Sequence, residues 1–161
     1  MDATAFDLAY QDLLAAAGSI GESTSLSPDQ QDAIDWTLSH IALSDRTLAA
    51  TARDVLTGRS PVVDNRDAMD DATISALITA TNHLQRVDLV RRNAADLSGV
   101  ITSMPEHVAT TLVELRLVSR DGRSLPPQQL PWADLIRLRA TDHIPGHAAR
   151  ITALAVTGRS S

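Results

Sequence analysis

His143 and His147 stand four residues apart in the stretch RATDHIPGHAARITAL, Arg139 to Leu154, of a chain with only five histidines. On a helix, residues at this spacing project to one side with Cβ atoms about 6 Å apart. Two imidazole nitrogens placed that way can meet one divalent ion at about 2.1 Å each. Plotted at about 100° per residue, Ile136, Ala140, Ile151 and Leu154 share an arc of roughly 80° with the pair, so both rings are expected to face the core. Buried imidazoles without partners are unfavourable, and two side by side call for hydrogen bonds or a shared cation. Ile144 occupies the place of the glutamate in a HExxH protease signature, so no general base comes with the motif.

Pro145 lies between the two histidines. Inside a helix it removes one hydrogen bond and crowds the carbonyl of Thr141, which allows two readings. Either a continuous helix kinks, or a new helix starts with Asp142 as N-cap and Pro145 in its first turn. A third ligand is expected from elsewhere. His40 is the first candidate, one turn from Trp36 and shielded by apolar neighbours; His83, in the more polar TNHLQR, is the second. His107 follows Pro105-Glu106 and is expected in solvent, while Trp36 and Trp132 read as packing residues.

These side chains must be carried by helices. The first is expected over about 3–17, closed by Gly18. The second is expected over Pro28–Thr57, with Ser27 as N-cap, Pro28 at the first helical position, Asp29 in the first turn and Gly58 as the stop. Ile34, Leu38, Ile41, Leu48, Ala49, Ala52, Val55 and Leu56 form its apolar face, and Asp35, Ser39, Arg46 and Arg53 a narrow polar arc. A helix so apolar around its girth suits the centre of a bundle or a subunit contact. GRSPVVDNRDAMDD reads as a linker, and a third helix is expected over Met69–Leu97, ended by Gly99 and SMPEH. Leu112 to Val118 is β-prone, Asp121-Gly122 is a turn signal and Pro126-Pro127 a breaker, so a long excursion with a short hairpin is expected before a fourth helix over about 131–156. The expected fold is an all-α four-helix bundle forming a single domain over residues 1–161.

Composition narrows the chemistry. Hydrophobic residues make up 43% and aromatic residues 2% of the 161 positions, so the core is aliphatic. The net charge is −6, every basic residue is arginine and none cluster densely, which argues against nucleic acid and anionic membrane surfaces. No apolar run reaches the roughly 20 residues of a membrane span. The acidic N-terminus lacks a signal-peptide pattern, so a cytoplasmic location is expected. Without cysteine, disulfides, thiolate metal sites and a cysteine nucleophile are excluded.

DWTLSHIALSDRTLAA on the second helix and LPWADLIRLRATDHIPGHAARITAL on the fourth resemble the DinB-like superfamily of metal-binding four-helix bundles, near the N-terminal domain of mycothiol-dependent maleylpyruvate isomerases. The excursion LRLVSRDGRSLPPQQLPW resembles that of the isomerase branch. The resemblance implies one metal ligand on the second helix, falling on His40, and two on the fourth, falling on His143 and His147. The isomerase branch has glutamate where His143 stands, so this chain is closer to the general DinB-like pattern. The resemblance further implies a homodimer and a low-molecular-weight thiol cosubstrate such as mycothiol.

Three imidazoles around a divalent ion, zinc or nickel, leave a coordination position open. An ion so held can lower the pKa of a bound thiol or water. The expected function is thus a metal-dependent transferase or isomerase that activates a thiol against a small electrophile. The alternatives are a non-catalytic dimeric helical module with a vestigial or absent metal site, and a metal-dependent hydrolase. Asp142 and Glu114 are candidates for orienting ligands or moving protons. Arg139 and Arg150 are candidates for holding an anion, with a solvated surface role expected for each.

Overall fold

The computed structural model describes residues 1–21 and 25–157. Helix α1 spans Thr4–Gly18 and α2 spans Pro28–Thr57, both within a residue of the sequence expectation. At the start of α2 the Ser27 hydroxyl accepts from the Gln30 N–H while the Gln30 side chain accepts from the Ser27 N–H, a reciprocal capping box. Gly58 closes the helix at φ 69°, a left-handed conformation that only glycine adopts without a Cβ penalty.

The stretch read as a linker is structured, and it corrects the all-α expectation. It holds β1 (Val62–Asp64) and a single helical turn α3 (Arg66–Met69). β1 pairs in parallel with β2 (Leu112–Arg116), and β2 pairs antiparallel with β3 (Gln128–Pro131), giving a three-stranded sheet in the order β1-β2-β3. The β2–β3 connection is the anticipated hairpin excursion, with Gly122 at φ 78° in its turn. β2 alternates as a half-buried strand does: Val113 and Leu115 face the core while Leu112 is exposed. β1 is too short for any alternation to show in the sequence.

The single third helix is also corrected. It is divided into α4 (Asp71–Ala80) and α5 (His83–Ser103). Thr81 between them is extended, and each half has its own cap: Asp70 accepts from the Thr73 N–H, and Asn82 forms a second capping box with Gln85. Gly99 does not end α5, which continues to Ser103; Met104 is then extended, as the residue before Pro105 is biased to be. A short turn α6 (Glu106–Ala109) leads into the sheet.

The last helical stretch comprises α7 (Trp132–Leu138), a π-helical turn (Arg139–His143) and α8 (Ile144–Thr157). Helix α2 packs on α5, and α1 packs on α5, α8 and the π turn. Phe6, Leu13, Leu38, Leu97, Trp132 and Ile144 belong to one buried cluster between them. The chain is therefore mostly helical, a helical assembly with a small sheet at the side of α2.

Candidate metal centre

His40, His143 and His147 come together. Each offers one ring nitrogen, and the three nitrogens lie within 4.8 Å of one another. Ring centroids are 5.6 Å apart for His40 and His143, 5.4 Å for His40 and His147, and 4.6 Å for His143 and His147.

His40 is the fixed member. It is buried on α2, its ring lies flat on that of Trp36 at 5.1 Å, one turn earlier, and its Nδ1–H donates to the Ala68 carbonyl at 2.7 Å. That bond assigns the proton to Nδ1 and leaves the Nε2 lone pair toward the other two rings. Hydrogen bonding of the far nitrogen to a carbonyl is how metal-ligating histidines are oriented. The carbonyl comes from α3, so the structured "linker" serves the centre directly. Trp36 does more than fill space, since Arg120 also lies over its ring at 4.2 Å.

His143 and His147 do not face the core as expected; His143 is exposed and His147 half-buried. The stripe that packs inward is Ile136, Ala140, Ile144, Ala148, Ile151 and Ala155. The π turn accounts for the difference. A turn closed by i→i+5 bonds, here from the Ile144 N–H to the Arg139 carbonyl, takes in one extra residue. Everything after it is rotated by up to about one residue step, roughly 100°, relative to a uniform helix. Both histidines are thereby turned off the buried stripe toward His40. The turn also bears on Pro145: the helical stretch runs on without a restart at an Asp142 cap, and the widened turn precedes the residue that cannot donate. The Asp142 carboxylate instead accepts from the Thr141 hydroxyl at 2.6 Å.

The π turn begins at Arg139, which was expected in solvent and is in fact 6% exposed. Its guanidinium bonds the Asp45 carboxylate at 2.5 Å and the Tyr10 hydroxyl at 2.9 Å, and the Tyr10 hydroxyl donates to the same Asp45 oxygen. Burial raises the Asp45 pKa above the ordinary carboxylate value, against the opposing pull of Arg139 and Tyr10. This triad ties α1 and α2 to the turn that carries His143. Sequence reading missed Asp45, although it sits in the middle of the apolar stripe of α2, where an acid requires a buried partner.

Desolvation lowers the pKa of all three histidines; the Arg139 charge adds to it at each, the neighbouring rings add to it at His143 and His147, and the bond to the Ala68 carbonyl opposes it at His40, so the rings are neutral at neutral pH. Three neutral imidazoles, one with its tautomer already fixed, are a donor set suited to zinc or nickel. Two nitrogens on one tetrahedral ion stand about 3.4 Å apart, so the widest pair would close by little more than an ångström.

His83, the second candidate, lies elsewhere. Its Nε2–H donates to the Ala17 carbonyl at 3.0 Å, and its Nδ1 lies 3.9 Å from Asp35, whose carboxylate is held by Arg86 at 2.7 Å and Gln31 at 2.8 Å. Asp35 and Ser39, expected in a polar arc, are buried, and Leu56, expected on the apolar face, is exposed. His107 and Arg150 are exposed as anticipated, Trp132 is buried, and Glu114 pairs with Arg116 on β2.

These shifts give a pH dependence with a definite sign. The unfolded chain takes up protons on the centre histidines below about 6.5 while the folded chain does not, and stability rises with pH wherever the unfolded state binds more protons. His83 works the other way: Asp35 raises its pKa, so its contribution is present below 6.5 and is lost as pH rises through its folded value. With three histidines against His83 and Asp45, the metal-free protein is expected to show a lower urea midpoint at pH 5 than at pH 7. An unchanged or higher midpoint at pH 5 would contradict the assignment.

Beside the centre is a cavity of about 470 Å³, lined by His40 and His143, by Arg139 and Asp142 of the π turn, and by side chains of α2, β1, α7 and the excursion. No protein-family model, curated protein or solved structure matches the chain.

Proposed function

We propose that this chain is a divalent-metal protein of the DinB-like kind, with His40, His143 and His147 as its ligands and zinc or nickel as the ion. In this reading it brings a low-molecular-weight thiol of the mycothiol type against a small electrophile. The observation that carries the proposal is the meeting of three imidazoles, from stretches of chain a hundred residues apart, at the edge of a cavity large enough for a small molecule.

Three protein ligands leave a position open, as catalytic sites do. When bound, a divalent ion supplies Lewis acidity that lowers the pKa of a thiol or water reaching it. The remaining work falls to the chain. His40 presents Nε2 because the Ala68 carbonyl holds the opposite nitrogen. Asp142, next to His143 on the cavity wall, is placed to accept a proton from an incoming thiol. The chain has no cysteine, so that thiol arrives as a cosubstrate.

Untagged protein purified without chelator is expected to contain about one equivalent of metal. A panel of small electrophiles is expected to be turned over only when thiol is added. Turnover without thiol would replace transfer by hydrolysis. Absence of metal even after reconstitution with zinc and nickel would overturn the reading.

A further inference from the structure

The cavity beside the histidines has an apolar body. Leu48 of α2, Val63 of β1, Leu117 of the excursion, and Leu135 and Leu138 of α7 line it. Its volume of about 470 Å³ lies within the roughly 300–1,000 Å³ usual for small-molecule sites.

The polar side chains on the same wall are already engaged. Arg139 is the one cation among the described lining residues, and Asp45 neutralises it. Asn65 accepts from the Val118 N–H and donates to the Val118 carbonyl, which pins the excursion. Ser44 takes a long 3.4 Å bond from Arg139. The carboxylate of Asp142 adds a negative charge. Apart from the ion held by the imidazoles, an anionic group would find no unpaired cation and one like charge, whereas an apolar body would find five aliphatic side chains.

We infer that the molecule taken up beside the histidines has an uncharged, apolar body lying along Leu48, Val63 and Leu135 with its reactive group toward the imidazoles, and that compounds of the same length with a carboxylate at the end away from the imidazoles are rejected. This inference rests on the metal reading above. Each methylene buried in such a cavity is worth roughly a factor of four in affinity.

The full chain loaded with cobalt(II) reports ligand binding through its visible absorption. Three hydroxamates serve as probes because each presents the same metal-binding head: acetohydroxamate, octanohydroxamate, and the monohydroxamate of suberic acid, which has the octanoyl length and ends in a carboxylate. Octanohydroxamate is expected to bind at least about 100-fold more tightly than acetohydroxamate, and the suberic compound far less tightly than octanohydroxamate. Leu138 is 43% exposed at the cavity, so Leu138→Arg is tolerated by the fold. It is expected to shift the ratio of suberic to octanoyl affinity by about 10-fold in favour of the acid. Octanoyl and acetyl probes of equal affinity, or a suberic probe that binds better than the octanoyl one, would overturn the inference and leave the metal centre standing. A protein that gives no cobalt spectrum, or one indifferent to acetohydroxamate, would overturn the metal reading and this inference with it.

Discussion

Replacing His143 with alanine is expected to empty the metal centre without unfolding the protein. Losing even a residue that merely orients a ligand weakens metal binding about 10–100-fold, so loss of a ligand itself is expected to exceed about 100-fold. His143 is exposed and holds nothing in the core, and surface substitutions of that kind change stability by within about 0.5 kcal/mol. His40→Ala is expected to lose the metal to the same degree but also to destabilise the metal-free protein by about 1–3 kcal/mol. It removes the ring under Trp36 and leaves the buried Ala68 carbonyl without its donor. Metal content by elemental analysis and urea unfolding of the metal-free forms separate the two effects. A His143→Ala protein that keeps its metal would remove this residue from the ligand set. One that collapses would make it a packing residue.

Asp45→Ala is expected to be the most destabilising single substitution in the buried triad. It leaves the Arg139 charge buried with only the Tyr10 and Ser44 hydroxyls beside it, and breaking a buried pair in this way costs about 3–5 kcal/mol. Against a total stability of about 5–15 kcal/mol, that is a large share. For a chain of this size the midpoint of thermal unfolding is expected to fall by about 6–20 °C. Removing both charges together, as Asp45→Leu with Arg139→Met, is expected to be milder, because the damage comes from the orphaned charge and not from the missing bond. Should Asp45→Ala shift stability by less than about 1 kcal/mol, Arg139 must reach solvent and the triad does not anchor the π turn.

The three histidines that meet could be picked out in the sequence because several local signals coincide. Histidines are scarce here, two of them share a helical spacing, and the third lies on a helix whose ends are marked by Ser27-Pro28-Asp29 and Gly58. What escaped was whatever depended on a departure from uniform periodicity. A single step of about 100° cannot show that the Arg139–His143 turn shifts phase, so the pair was aimed at the core instead of at the cavity. The break at Thr81-Asn82 was hidden inside a continuous run of helix-compatible residues, although Asn82 followed three residues later by Gln85 has the form of a cap. β1, three residues long, had no pattern to offer. The Asp45–Arg139 pair left a trace in an acid placed among Ile41, Leu48 and Ala52, but only the folded chain identifies the partner 94 positions away.

The π turn also bears on how such a centre could arise. A helix that gains one residue without losing its ends stores the surplus as a widened turn of this sort. The same residues wound at a uniform step of about 100° per residue would carry both histidines on the buried stripe, where they could neither meet His40 nor reach the cavity. The widened turn, at this length of chain, thus separates a plain structural helix from one that points two histidines outward, and Pro145 discourages the turn from closing back into regular geometry. A chain that loses one residue between Arg139 and Asp142 is therefore expected to keep α8 in phase and its three histidines together, whereas one that regularises the turn at unchanged length is expected to turn the pair into the core.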